Sequence, residues 1–167
     1  MKSDLFVISA LVTNHSGVLS RVSSLFSRRG FNIDSLTVGV TEDDRFSRIT
    51  ICSTCDDATK EQIVKQLSKL YDVKKIEVLH RDESVFREMI LVKIATPRSV
   101  RAEVMSSVNI FRGKIVDMGL ESITVELTGD PSKLNAFIEF MSQYEILELC
   151  HTGLTAVKRG ASKLKAD

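Results

Sequence analysis

The segment from Asn14 to Leu19 holds the residues best suited to binding a small anion. Asn14 offers a side-chain amide that both donates and accepts hydrogen bonds, and Gly17 has no Cβ to keep a ligand away from the backbone. The segment stands between a predicted strand and a predicted helix, where unpaired N–H groups and the positive end of the helix dipole point outward. It therefore predicts a site for a carboxylate. A plain turn capped by Ser16 accounts for the same residues equally well.

The sequence around this loop lacks the marks of nucleotide and catalytic sites. It has neither a Gly-x-x-x-x-Gly-Lys pattern nor a nearby lysine, which disfavours a nucleoside triphosphate. None of the three histidines, His15, His80 and His151, belongs to a nucleophile motif. We therefore predict no catalytic residue, and we interpret His15 as a hydrogen-bond donor of the loop.

The cysteines suggest two further chemistries, both weaker. Cys52 and Cys55 follow a predicted strand and precede a helix, as a redox pair would, but Asp56 and Asp57 beside them should raise a thiol pKa. A metal site built from Cys52, Cys55, Cys150 and His151 has the right ligand types but no second Cys-x-x-Cys pair. We interpret Cys52 and Cys55 as ordinary thiols at a strand end and predict no metal.

Composition narrows the class of protein further. With 167 residues, 43% of them hydrophobic, the chain can form one domain or two small ones. A net charge of +1 gives no strong field for nucleic acid or an anionic membrane, and residues 45–48 lack the aromatic-glycine pattern of an RNA-binding sheet. The apolar run at residues 5–12 is too short to span a bilayer, so we expect a cytoplasmic protein. Three cysteines, an odd number, imply no disulfide framework.

Hydrophobic periodicity predicts the elements that position the loop. The order βαββαβ occurs twice, and the fold class is therefore α+β, with two ferredoxin-like half-domains at residues 4–80 and 87–157. Residues 81–86 are a predicted linker, and residues 158–167 a predicted flexible basic tail. In the first half we predict strands at 5–13, 33–40, 46–52 and 73–80, a helix from Val18 capped by Gly30, and a helix from Ala58. In the second half we predict strands at 87–95, 114–118, 122–128 and 146–151, a helix with Thr96 as N-cap and Pro97 at its first position, and a helix opened by Asp130 and Pro131.

The first strand carries apolar residues on both of its faces. Phe6, Ile8, Ala10 and Val12 point one way, while Leu5, Val7 and Leu11 point the other. The helices of a βαββαβ unit cover only one face of its sheet. We therefore expect the second half-domain or another subunit to cover the other face, and we expect the chain to form oligomers.

Two longer stretches resemble one known family. Asn14-x-x-Gly17-Val18-Leu19, followed by Leu25-Phe26-Ser27-x-Arg29-Gly30-Phe31-Asn32-Ile33, is similar to the amino-acid-binding ACT domain of the acetolactate (acetohydroxyacid) synthase small subunit. Ile110-Phe111-Arg112-Gly113-Lys114 and Arg87-Glu88-Met89-x-Leu91-Val92-Lys93-Ile94 resemble the second domain of that family. The likeness covers residues 4–157.

The resemblance implies a non-catalytic regulatory subunit of a transferase of branched-chain amino acid biosynthesis. Such a subunit activates a catalytic subunit that carries thiamine diphosphate, Mg and FAD, and it confers feedback inhibition by valine. In the family the effector lies between two ACT domains of a homodimer. Carried over, Asn14, His15, Gly17, Val18 and Leu19 would face valine from one chain, and Asn32, Ile33 and Asp34 from the other.

Three points qualify what the resemblance implies. Thr13 stands where related subunits often carry Glu, so leucine or isoleucine stays possible as the effector. The second half-domain has Ala95-Thr96-Pro97-Arg98 in place of the glycine loop, which predicts no second effector site. An amino-acid-sensing ACT protein with another partner is the alternative; a DNA-binding sensor would require a helix-turn-helix, which the sequence before the first strand lacks.

Overall fold

Both predicted βαββαβ repeats are present in the computed structural model, which describes residues 4–165. The first repeat consists of β1 (Asp4–Thr13), α1 (Val18–Arg29), β2 (Ser35–Val40), β3 (Phe46–Cys55), α2 (Asp57–Leu67) and β4 (Val73–Val78). The second consists of β5 (Ser84–Ala95), α3 (Arg101–Ile110), β6 (Lys114–Met118), β7 (Ser122–Gly129), α4 (Pro131–Met141) and β8 (Ile146–His151). A ninth strand that the sequence did not predict, β9 (Thr155–Lys158), follows. The predicted α+β fold of two ferredoxin-like halves is confirmed.

The first sheet is antiparallel and has the order β2-β3-β1-β4, so β1 is an inner strand. One face of β1 carries Phe6, Ile8, Ala10 and Val12, which are buried in a single core with residues of both helices. The stripe predicted for α1 supplies Val18, Val22, Leu25 and Phe26 to that core. Strand alternation and helical periodicity thus bury one face of the sheet.

Helix ends follow the capping residues in three of the four helices. Gly30 ends α1 in the left-handed conformation, with φ of 68°, as predicted. Asp56 and Asp130 begin α2 and α4, each accepting a hydrogen bond from a backbone N–H two or three residues further along the chain.

The prediction that Thr96 is the N-cap of α3 and Pro97 its first residue is wrong. This helix begins at Arg101, and the N–H of Thr96 instead donates to the carbonyl of Glu121, which holds Thr96 outside the helix.

The second sheet has the order β6-β7-β5-β8, and β9 also pairs with β5. Its core lies between β5, β7 and the two helices, and Ile90, Val92 and Ile94 of β5 are fully buried there. Among the described residues, no helix is long and apolar enough to cross a membrane.

The chain divides into its two units at positions that differ from the predicted boundaries. Residues up to Val85, together with the chain from Leu154 onward, form the first unit, and Phe86–Gly153 form the second. The predicted linker at 81–86 already contains the start of β5, with Ser84 and Phe86 buried. The predicted tail at 158–167 extends beyond the described residues at 166 and 167, but its Leu164 is buried because the segment packs on the first unit.

The C-terminal segment, residues 154–165, lies on the second face of the first sheet. The Oγ1 of Thr37 in β2 donates to the carbonyl of Leu154 at 2.6 Å. An Arg48 guanidinium nitrogen in β3 donates to the carbonyl of Ala156 at 3.2 Å, and Lys158 pairs with Glu77 of β4 at 3.1 Å. The segment therefore crosses the sheet from β2 to β4, over β1.

This crossing explains the apolar second face of β1. Val7, Ser9 and Leu11 are buried on it, and so are Leu154, Ala156 and Leu164 of the C-terminal segment. We expected the second half-domain or another subunit to cover this face. In the structure the chain's own C-terminal segment covers it: Leu154, just before β9, and Ala156, within it, are alternate residues on one side of the chain, and both are buried.

Replacing Leu154, which is 1% exposed, by Ala should lower the free energy of unfolding of the first unit by about 2–4 kcal/mol, since the truncation leaves a cavity beneath the segment. The slowest-exchanging amides of β1 and β3 report this free energy by hydrogen exchange. Leu120→Ala, at a position 85% exposed, is the control and should change it by less than about 0.5 kcal/mol. Equal effects of the two variants would show that the segment does not close this face.

Candidate functional site

Gly17 is the N-cap residue of α1, and it leaves the N-terminus of that helix open, without a capping side chain. Its φ of 86° and ψ of −13° lie in the left-handed region, which favours glycine. No side chain caps the helix, and its first turn contains no acidic residue. The reading of Ser16 as N-cap is therefore wrong. The N–H groups of the first turn have no partner within the helix and carry the positive end of its dipole, which is what an anion requires.

Asn14 fixes the loop against the turn between β2 and β3. Its Nδ2 donates to the carbonyl of Asp44 at 2.8 Å, and its Oδ1 accepts from the hydroxyl of Ser47 at 3.1 Å. The backbone N–H of Asn14 also donates to the carbonyl of Arg45, at 2.8 Å. Asn14 thus positions the β1–α1 loop, and its amide group already has partners on both sides.

Asp72 is a functional candidate that the sequence analysis missed. It lies just before β4, beside the end of β1, and is only 5% exposed. Its carboxylate accepts from the hydroxyl of Thr13 at 3.2 Å and lies 3.0 Å from Nε2 of His15 and 2.8 Å from Nε of Arg21. A buried carboxylate must be compensated by charge and hydrogen bonds, and here every such partner comes from the predicted loop or its borders.

Val18 and Leu19 differ in what they can offer a ligand. The side chain of Val18 is buried in the core of the first unit, so only its backbone N–H can face a ligand. Leu19 is exposed at the surface of α1 and remains available as an apolar contact.

Asn32 and Asp34 form a second polar group just before β2. Nδ2 of Asn32 donates to Oδ1 of Asp34 at 2.6 Å, and the hydroxyl of Thr54 donates to Oδ2 of Asp34 at 2.6 Å. The hydroxyl of Ser53 donates to the carbonyl of Asn32 at 2.7 Å. Ile33, between them, is half-buried against the core. The exposed Asp34 carboxylate has the charge that an ammonium group would need.

One chain does not bring the two predicted groups of site residues together. Residues 14–19 lie at the beginning of α1, and residues 32–34 follow its end. A helix of 12 residues is about 18 Å long, so the groups stand at opposite ends of the first unit. Any site that uses both groups must take them from two chains.

The cysteines do not form the arrangement that a metal requires. Cys52 and Cys55 are buried on opposite faces of β3, whereas Cys150 is exposed on β8. Within residues 4–165, no three His, Cys, Asp or Glu side chains are grouped to hold a metal ion. Burial raises the pKa of Cys55, with smaller contributions from Asp56 and Asp34 that act in the same direction, so the thiol is a poor redox nucleophile.

The corresponding loop of the second unit has a different structure. Thr96 is fully buried, and its carbonyl accepts from the guanidinium of Arg101. This contact occupies the start of α3, whereas the start of α1 is left open by Gly17.

The βαββαβ topology, with a left-handed glycine opening its first helix, is that of an ACT domain, and comparison with known families identifies the first unit as one. A model of the AHAS small subunit-like ACT domain matches residues 8–75, and a model of the small subunit of acetolactate synthase matches residues 87–160. Together these two models span most of the chain.

Individual proteins match along almost the whole chain. The probable acetolactate synthase small subunit of Methanothermobacter thermautotrophicus is 48% identical over 162 residues, which cover 96% of each chain. The acetolactate synthase small subunit of Mycolicibacterium smegmatis is 48% identical over 153 residues, covering 92% of this chain and 90% of that protein. The crystal structure of the acetolactate synthase small subunit from Thermotoga maritima superposes with a TM-score of 0.88 at 40% identity, covering 95% of this chain and 99% of that one. This chain therefore belongs to the acetolactate synthase small-subunit family, which confirms the resemblance.

The turn that holds Asn14 is itself fixed by an ion pair whose titration can be measured. Arg45 donates to both carboxylate oxygens of Asp43, and this hydrogen bonding lowers the pKa of Asp43 from 3.8 to about 2. Because the pKa is lower in the folded state, the pair stabilises the protein above pH 3.8 and loses its effect as the pH falls towards 2.

Carbon-detected NMR should therefore show the Asp43 carboxyl titrating near pH 2, and at a distinctly higher pH in Arg45→Gln, where only the backbone hydrogen bond from residue 45 remains. Lys93→Gln, which breaks an ion pair with Glu148 on the second unit, is the control and should leave the Asp43 midpoint in place. A midpoint that does not move in Arg45→Gln would contradict the assignment.

Proposed function

We propose that this chain is the regulatory subunit that raises the activity of the acetolactate synthase catalytic subunit and confers feedback inhibition by valine. The observation that carries the proposal is the uncapped helix start at Gly17, which is suited to an anion and lies within an ACT domain of this family. The chain contributes no catalytic group, and thiamine diphosphate, Mg and FAD are held by the catalytic subunit. The complex acts in the cytoplasm, in branched-chain amino acid biosynthesis.

The site residues suit a free aliphatic amino acid. The backbone N–H groups of residues 17–19 receive its carboxylate, as an uncapped helix start favours an anion. Asp34 of the second chain, with Asn32 beside it, receives the ammonium group. Leu19 and Ile33 contribute the apolar surface, which limits the size of the side chain that fits. Valine matches these groups, and leucine or isoleucine differs only in side-chain volume.

The sheet topology supports a homodimer as the form that completes the site. β2 is an edge strand of the first sheet, with its outer backbone groups unpaired within residues 4–165. If β2 pairs antiparallel with β2 of a second copy, the Ser35 end of one strand lies beside the Val40 end of the other. Val40 stands next to the β2–β3 turn that binds Asn14. This pairing therefore brings residues 32–34 of one chain towards residues 14–19 of its partner, twice in each dimer.

A ligand held by two chains gives a physical route to feedback control. Valine binds the dimer arrangement in which both halves of the site meet, and so shifts the population towards that arrangement. At a concentration of 100 times its Kd it stabilises that state by about 2.7 kcal/mol. Inhibition follows if the catalytic subunit is activated less by this state than by the effector-free one.

The experiment that tests the proposal mixes this chain with an acetolactate synthase catalytic subunit and titrates valine. We expect activation without valine and loss of that activation as valine is added. Gly17→Asp places a carboxylate in the anion site, so it should raise the half-inhibitory valine concentration by at least about tenfold while activation is kept.

Gly17→Ala is the matched control, because it imposes the same left-handed strain, about 1 kcal/mol, without a charge. Its half-inhibitory valine concentration should lie closer to the wild-type value than that of Gly17→Asp. Normal inhibition of Gly17→Asp would show that the loop does not bind the effector. A wild-type chain that neither activates nor responds to valine would contradict the proposed function itself.

The dimer can be tested separately at the middle of β2. Val38 is 47% exposed and would lie close to its symmetry mate, so Val38→Glu sets two like charges against each other. Sedimentation velocity should show a shift towards monomer and a loss of valine binding. Val116→Glu on β6, at a position 51% exposed, makes the same change on the other unit and should leave the dimer intact. Two variants with the same sedimentation behaviour would exclude β2 as the dimer edge.

A further inference from the structure

The guanidinium of Arg21 extends from the buried Asp72 carboxylate to the backbone of Gly17. Its Nε lies 2.8 Å from Oδ2 of Asp72. Its Nη2 lies 3.9 Å from the point that a Cβ on Gly17 would occupy. Half of the Arg21 side chain is exposed, whereas the carboxylate that holds it is buried. One cation thus stands close to Gly17, at the open helix start.

Asp72 is held in a single position by the end of β1. The hydroxyl of Thr13 donates to its Oδ1 at 3.2 Å, and the backbone N–H of Thr13 donates to its carbonyl at 2.9 Å. Nε2 of His15 contacts the same Oδ1 at 3.0 Å. These contacts fix both the backbone and the side chain of Asp72, and Asp72 in turn fixes Arg21.

A fixed guanidinium is well suited to recognise a carboxylate. Its N–H groups are planar and match the two oxygens of a carboxylate, and an arginine whose position is already set loses little further side-chain entropy on binding. The charge of Arg21 compensates Asp72, so the positive end of the α1 dipole remains to attract an additional anion. A neutral amide or ester in place of the carboxylate would lose this attraction.

We propose that Arg21 is the charged ligand for the carboxylate of the amino-acid effector, and that Asp72 is the residue that positions it. The proposal rests on the proposed function, because it assigns a ligand within the effector site. It predicts that the site requires a free α-carboxylate and discriminates against amino-acid amides.

The test measures binding of valine and of valinamide to the full-length chain by calorimetry. The wild type should prefer valine by at least about tenfold, the expected worth of one charge-assisted hydrogen bond. Arg21→Gln removes the charge and should lower the ratio of the two affinities several-fold, leaving only the preference that the uncapped helix start gives. Asp72→Asn leaves Arg21 in place but loosely held, so valine should bind several-fold more weakly, with a preference over valinamide that persists.

Two further variants keep the result interpretable. Arg21→Gln leaves the buried Asp72 carboxylate without its strongest partner and can destabilise the fold. The double variant Arg21→Gln/Asp72→Asn removes both charges, so it should restore the thermal midpoint while its preference for valine over valinamide stays as low as in Arg21→Gln. Arg28→Gln makes the same substitution near the other end of α1, and should behave as wild type.

The outcomes separate this inference from the proposed function. If Arg21→Gln binds valine as the wild type does, with the same preference over valinamide, the proposed role of Arg21 is overturned. Unchanged valine affinity in Asp72→Asn would overturn the positioning role of Asp72. A wild-type chain that binds neither compound would overturn the effector site, and this inference with it.

Discussion

The burial of β1 on both of its faces is the constraint on which the first unit depends. β1 is an inner strand with apolar side chains on each side, and the helices of a βαββαβ unit reach only one of them. The chain resolves this by returning its C-terminal segment across the other face, with contacts to β2, β3 and β4. The first unit is consequently made of two stretches of chain, and the second unit is inserted between them. Formation of the complete first unit therefore requires the last part of the sequence.

The strand pairing of the same sheet also positions the candidate site at the β1–α1 loop. Because β1 and β4 are antiparallel neighbours, the end of β1 meets the start of β4, which brings Asp72 beside the β1–α1 loop. Because β1 and β3 are also neighbours, the loop meets the β2–β3 turn, where Asn14 finds its partners. The loop is therefore held from both sides while the helix start at Gly17 stays open. A helix end without a capping side chain sacrifices some stability, which is a common property of binding sites.

The separation of the two groups of site residues links ligand binding to assembly. Residues 14–19 and 32–34 are at opposite ends of α1, so one chain offers only half of the proposed effector site. An effector that contacts both halves stabilises the association of two chains, and its free energy of binding becomes available to change the quaternary structure. This is the physical basis of the regulation that we propose.

Local sequence patterns alone determined the order of most secondary-structure elements and the family resemblance. Strand alternation and helical spacing gave the order of twelve of the thirteen elements, and Gly30 marked the C-terminal end of α1, because these signals depend on neighbouring residues. The family resemblance also rested on continuous motifs. Asp72, in contrast, is 59 residues from Thr13 along the chain, and no local pattern distinguishes it from an exposed loop aspartate. The role of the C-terminal segment was likewise decided by tertiary structure. The sequence placed residues up to 157 in the second half-domain and the rest in a basic tail, and only the sheet face of the first unit gives Leu154, Ala156 and Leu164 a place to be buried.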